Sequence, residues 1–154
     1  MASPVLVRWM RVVGSVGAGA YIDDTRNNFF VLGGDTGLRG YVVGDLRGKA
    51  EFLGHLEVRS MAISLASLRL GGVVFSDVGD AATPDPGSGS GPVRAVRSVL
   101  RLHPKADVGY GLRLLIPQLN TYVLRFDWAI PLQSTRYTPA GWPGRITFTF
   151  RQAF

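Results

Sequence analysis

Three stretches near the C-terminus alternate apolar and polar residues with a period of two, and that period excludes a helix, which returns side chains to one face every three or four residues. Along 105–116, Ala106, Val108, Tyr110, Leu112, Leu114 and Ile116 share one parity against Lys105, Asp107, Gly109, Gly111 and Arg113. Along 121–132, Tyr122, Leu124, Phe126, Trp128 and Ile130 oppose Thr121, Arg125, Asp127 and Ala129. Along 145–154, Ile146, Phe148, Phe150 and Phe154 oppose Arg145, Thr147, Thr149 and Arg151. Each run matches the roughly 9–11 residues that carry a tilted strand across a bilayer. Strands of soluble proteins are usually about 5–6 residues long.

The same alternation continues upstream. In 49–61, Phe52, Gly54, Leu56 and Val58 face away from Glu51, Leu53, His55, Glu57 and Arg59. In 66–79, Leu68, Leu70, Gly72, Val74 and Val78 oppose Ser67, Arg69, Gly71, Val73, Phe75 and Asp77. The short gap at 64–67 predicts an antiparallel hairpin. Residues 5–22 read as one further strand, for about six in all. Between them, 80–103 holds Pro84, Pro86 and a Gly-Ser-Gly-Ser-Gly run, the composition of a flexible connection. Within it, 93–102 is expected to form a short amphipathic helix with Arg94, Arg97 and Arg101 on its polar side.

Composition narrows the function classes. The chain is 46% apolar and 18% charged, enough for a core or for a lipid-facing surface. No apolar run approaches the roughly 18 residues of a membrane-spanning helix, a limit that leaves spanning strands open. A net charge of +6 comes from basic residues spread along the chain, so no nucleic-acid surface is expected. Without cysteine there is no disulfide, thiol nucleophile or cysteine-based metal site. His55 and His103 lack an acidic cluster at ligand spacing, and neither a nucleophile elbow nor a phosphate-binding Gly-Lys-Ser/Thr is present. No metal, cofactor or enzymatic activity is therefore expected. Residues 1–16 make a poor signal peptide, so any export signal is expected outside this chain.

Two all-β architectures fit the alternation. A soluble sandwich would bury the apolar face and wet the polar one, giving a binding module with a basic bias. A transmembrane barrel would turn the apolar face to lipid. Glycines and neighbouring opposite charges, Lys105 with Asp107 and Arg125 with Asp127, suit a crowded wet interior. Aromatic residues near run ends, Tyr110, Tyr122, Trp128 and Trp142, suit interfacial girdles.

The remaining distinctive stretch is the long loop 24–47. It holds Gly33, Gly34 and Gly37 before Leu38, then Arg39, Gly40 and Tyr41. Such glycine content argues against strand or helix and for a shaped turn presenting one cation. Inside a barrel, Arg39 must meet anions or stay poorly solvated. Glu57 and Asp77, on the non-lipid parity of adjacent strands, are the natural partners for a charge-assisted lock. The other possibility is that each is separately solvated in the lumen.

At this point the ordered motifs resemble a known family. Leu-Arg-Gly-Tyr at 38–41 resembles the Val/Leu-Arg-Gly-Phe/Tyr signature of the long sixth extracellular loop in BamA/TpsB-type outer-membrane barrels, the bacterial surface antigen family. Val74 to Gly79 is similar to that family's Phe-x-Asp-x-Gly strand motif, and His55-Leu56-Glu57-Val58-Arg59 to its preceding strand. Gly109 to Arg113 with Ile116-Pro117, and Leu124 to Ala129 with Pro131-Leu132, are similar to its next two strands. Phe154 is similar to the terminal aromatic of an outer-membrane β-signal, with Phe150 on the same face.

The resemblance implies a transmembrane antiparallel β-barrel in the bacterial outer membrane, in contact with lipid and with a polypeptide client that it assembles or translocates. It implies that Arg39 reaches Asp77, with Glu57 second, and that the last strand forms the lateral seam. Two departures stand out. Family barrels have more strands and follow periplasmic POTRA domains, and about six strands fall below the roughly eight of a closed single-chain barrel. Residues 1–154 are therefore expected to be the C-terminal barrel portion of a larger protein, or a subunit completing a barrel with further copies or another chain. Gln152, where the β-signal is usually apolar, is the second departure. A membrane anchor without transport activity remains an alternative.

Overall fold

The computed structural model describes residues 5–7, 9–21, 28–83, 103–116 and 122–152. In chain order the strands are β1 (Val5–Val7), β2 (Met10–Ala20), β3 (Phe30–Leu32), β4 (Leu46–Gly48), β5 (Ala50–Ser60), β6 (Ile63–Leu65), β7 (Leu68–Ala82), β8 (Lys105–Ile116), β9 (Tyr122–Pro131) and β10 (Arg145–Gln152). One antiparallel sheet runs in the order β1-β2-β5-β7-β8-β9-β10, with β6 also on β7. β3 and β4 form a separate ladder inside the long loop. The described residues thus form the expected all-β antiparallel architecture, and among them are six long strands and two open edges, at β2 beyond its short pairing with β1 and at β10. Among the described residues the sheet is not closed.

Burial along the strands is the reverse of that in a soluble sheet. On one face Leu56, Val58, Val74, Tyr110, Leu112, Phe126, Ile146, Phe148 and Phe150 are exposed, Val74 at 63%. On the other Asp77 and Asp107 are 0% exposed and Asp127 is 5% exposed. Water would favour the opposite arrangement, because burying a carboxylate requires partners and exposing a contiguous apolar face costs free energy. Among the described residues no second sheet covers the apolar face, so the architecture is not a sandwich but an outward-apolar wall of the kind that forms a partial membrane barrel. Near one end of the wall Tyr110, Trp128 and Trp142 form an aromatic cluster, with centroids 5.1 and 4.5 Å apart and Trp128 Nε1 donating to the Pro143 carbonyl at 2.7 Å.

Several local expectations change. The single strand expected over 5–22 is two, because the chain turns at Trp9, whose carbonyl accepts the Met61 N–H at 2.9 Å. Residues 5–10 contain no glycine or proline to mark that turn. The hairpin is present, with its reversal at Ala66–Ser67 and Ala66 at φ 52°, but β6 interrupts its first arm. β7 runs on to Ala82, so Asp80 belongs to a strand rather than to the flexible connection 80–103. There its carboxylate accepts the Ala81 and His103 N–H groups, each at 2.8 Å. The helix expected at 93–102 lies outside the described residues, as does Phe154.

Candidate functional site: the arginine loop on the inner wall

The loop is not wholly irregular. The β3–β4 ladder closes it, and Gly34–Thr36 makes one 3-10 turn where no helix was expected. Gly34 has φ 65° and a Cβ there would lie 2.5 Å from Val43 Cγ2, so the position requires glycine twice over. Its N–H lies 2.9 Å from both the Leu38 and the Tyr41 carbonyls. Gly33, with φ 121°, leaves no room for a side chain against the Val42 backbone. The tight turn presses Leu38 and Tyr41, both 0% exposed, against the wall and aims Arg39 between them.

On the wall, strand register brings the partners to one place. His55 pairs with Asp77 across β5 and β7, and Glu57 lies two residues along the same face. Arg39 Nε donates to Asp77 Oδ2 and Nη2 to Asp77 Oδ1, both at 2.7 Å, a two-pronged bond that fits guanidinium to carboxylate. Its Nη1 donates to Glu57 Oε1 at 2.7 Å and lies 3.7 Å from Asp127 Oδ2. The guanidinium carbon sits 3.4 Å over the Phe75 ring. Burial alone would lower the Arg39 pKa, but the hydrogen bonds and charges of Asp77 and Glu57 outweigh it and raise the pKa above its usual value. Arg39 is thus a permanent cation held by fixed anions. Glu57 also accepts Arg59 Nε at 2.7 Å, and His55 Nδ1 lies 2.9 Å from Asp77 Oδ1.

The backbone after Arg39 is seated too. Gly40 N–H donates to Asp107 Oδ2 at 2.9 Å, and a Cβ on Gly40 would lie 2.8 Å from Asp107 Cβ and 3.1 Å from the Pro131 nitrogen. Gly40→Ala is therefore expected to lift the loop from the wall at a cost of about 1–3 kcal/mol, typical of overpacking. Faster trypsin cleavage after Arg39 in outer-membrane fragments checks this, and an unchanged rate would show that the wall yields. Tyr41 Oη lies 3.1 Å from the Ala106 carbonyl and 3.0 Å from the Gln133 carbonyl. Burial raises the Tyr41 pKa, opposed by the Gln133 backbone and aided by the Asp107 charge, so the phenol remains a neutral donor.

The structure therefore brings Arg39, Asp77 and Glu57 together, with Gly33, Gly34, Leu38, Gly40 and Tyr41 shaping the loop around them. Phe150 is apart from them, on the exposed apolar face of β10. Phe75, Asp127 and the seat at Asp107 complete the surroundings of Arg39 and Gly40 beyond the two expected acids, and the inward parity of Phe75 on β7 and Asp127 on β9 is the sequence signal that points to them. The same-strand pairing expected of Lys105 with Asp107 gives way to the Gly40 N–H. Asp127 takes Arg113 from the neighbouring strand, Nη1 to Oδ1 at 2.5 Å and Nη2 to Oδ2 at 3.1 Å. Register explains this: Gly111 is paired with Asp127 across β8 and β9, and because Gly111 has no side chain the Arg113 guanidinium, two residues along the same face, reaches Asp127 diagonally through the space a Cβ there would fill. A polar cavity of about 520 Å³ opens beside the lock, lined by Asp35, Arg39, His55, Glu57, Arg59 and Asp127, among others.

An outward-apolar antiparallel wall, with a glycine-built loop pinned by one arginine to buried acids on its inner face, is the architecture of a partial membrane β-barrel that carries its own loop on the inner side. Residues 10–154 match the Omp85 superfamily domain, and the chain belongs to that superfamily. The family comprises outer-membrane barrels of protein assembly and translocation. No match to the chain is found among curated proteins or among solved structures.

Proposed function

We propose that this chain forms the C-terminal wall of a bacterial outer-membrane barrel that assembles or translocates polypeptide clients, and that the Arg39 loop braces the wall from inside. The observation that carries the reading is the bidentate Arg39–Asp77 lock, closed by Glu57, on a face of the sheet that would otherwise hold uncompensated buried charge. The open edge of β10 supplies the seam, where an unpaired strand edge templates a client strand by backbone hydrogen bonding. Phe150 and Phe154 belong to the terminal aromatic signal by which such strands are recognised. Because an unpaired edge is not tolerated in hydrocarbon, the edge at β2 is paired in the membrane by further strands, of the same polypeptide, another copy or another chain, and the edge of β10 by a strand that gives way when a client strand pairs there.

The test is a complementation assay in which this protein is the only copy of its kind, with photo-crosslinkers placed along β10 to catch nascent outer-membrane or secreted clients. Client adducts on β10 and loss of insertion or secretion in Arg39→Ala are expected. A barrel that inserts normally, yields no client adduct and loses nothing on Arg39→Ala would instead be an anchor without transport.

A further inference from the structure

The loop has a second attachment that the arginine lock does not explain. Beyond Tyr41 it meets the connection between β9 and β10, residues 132–144, through a polar cluster with consistent donor and acceptor roles. Asp45 Oδ2 accepts the hydroxyls of both Thr135 and Thr138. The Thr138 hydroxyl in turn accepts the Val42 N–H at 3.1 Å, and the Thr135 hydroxyl accepts the Thr138 N–H at 3.0 Å. Gln133 adds a third tie, with its carbonyl at Tyr41 Oη and its side-chain oxygen accepting the Ala106 N–H at 2.7 Å. Thr138 is only 6% exposed, so these bonds are partly shielded from water.

The connection is itself fixed to the end of the wall, since Leu132 N–H donates to Ala106 and Gly141 N–H to the Pro131 carbonyl, at 2.9 and 2.8 Å. It then leads directly into β10. The loop is thus held by Arg39, Gly40 and Tyr41 to the wall, and by Asp45 to the segment that delivers β10.

We propose that Asp45, Thr135 and Thr138 are positioning residues forming a clasp that ties the arginine loop to the β9–β10 connection, so that the placing of the terminal strand and the docking of the loop depend on one another. The inference builds on the reading of the loop as a brace. One carboxylate oxygen takes two hydroxyl donors, and charge-assisted bonds of this kind are about twice as strong as neutral ones. Losing the carboxylate removes the acceptor shared by the Thr135 and Thr138 hydroxyls and lets the loop open more often against its remaining contacts with the wall, reaching states that expose the Arg39–Gly40 bond.

Trypsin cleavage after Arg39 in the full-length protein in outer-membrane fragments reads that opening, because a guanidinium held by Asp77 cannot enter the protease. Asp45→Ala and Thr138→Val are each expected to speed the cut about tenfold. Their combination should be slower than the product of the two, as for partners in one bond. Thr138→Ser, which keeps the hydroxyl, should cut at the wild-type rate. An unchanged rate in Asp45→Ala, with the barrel still running as the folded form on unheated gels, overturns the clasp. If Asp45→Ala fails to assemble, equal rates in Thr138→Val and Thr138→Ser overturn it instead. Client insertion measured on the same variants keeps the two readings apart: a freed loop with wild-type insertion upholds the clasp and refutes the brace function, whereas a protected loop refutes the clasp alone.

Discussion

Asp77→Ala is expected to release the arginine loop and to abolish client insertion or secretion, more severely than any other change at the site. Asp77 is fully buried and supplies both oxygens that grip Arg39. Removing it leaves a guanidinium over Phe75 with only Glu57 close by and Asp127 at 3.7 Å. Breaking a buried pair on one side costs about 3–5 kcal/mol, because the abandoned charge stays desolvated. That exceeds what a docked surface loop withstands, so the loop swings out and the Arg39–Gly40 bond becomes cleavable. Glu57→Ala should do less, since Glu57 makes a single bond to Arg39 and its side chain is 12% exposed, where water replaces part of the loss. Asp77→Asn should fall between them, keeping the shape and one acceptor. The ranking is measured by trypsin accessibility of Arg39 together with complementation. Wild-type activity in a folded Asp77→Ala barrel would remove the lock from the mechanism.

Much of this site is visible in the sequence because each part is local or follows a parity rule. Gly33, Gly34 and Gly40 announce a turn, Arg39 is its only cation between Gly33 and Tyr41, and period-two alternation places Glu57 and Asp77 on one face of neighbouring strands. What stays hidden depends on register and on contacts between distant segments. Asp127 faces Arg113 only because β8 and β9 pair Gly111 with Asp127, and a shift of one residue would exchange every inward and outward side chain. Gly40 needs to be glycine because Asp107 arrives 67 residues later in the chain. The clasp joins Asp45 to threonines in an aperiodic connection, and Asp, Thr and Pro there read as ordinary turn composition. The turn at Trp9 is hidden for a different reason: residues 5–10 contain neither glycine nor proline.

The exposed apolar face yields the other large effect, and it bears on the environment rather than on the loop. Val74 lies in the interior of β7 with 63% exposure, while its neighbours Val73 and Phe75 are 3% exposed on the opposite face. If this face meets hydrocarbon, Val74→Arg places a cation against lipid and costs about 2–4 kcal/mol near the bilayer midplane. If it met water, the same substitution would lie within about 0.5 kcal/mol of neutral, as surface changes usually do. The two environments therefore differ by the whole of the effect. Val74→Arg is expected to deplete the folded, heat-modifiable form in the membrane and to lower the denaturant midpoint of the protein refolded in detergent or lipid. Thr149→Arg, on the inward parity of β10 beside the polar cavity, is expected to be tolerated. That asymmetry between faces is the physical meaning of the alternation: the residues that would make a soluble core are turned outward, and the charges that water would claim are turned in, where Arg39 holds Asp77 and Glu57 and Arg113 holds Asp127.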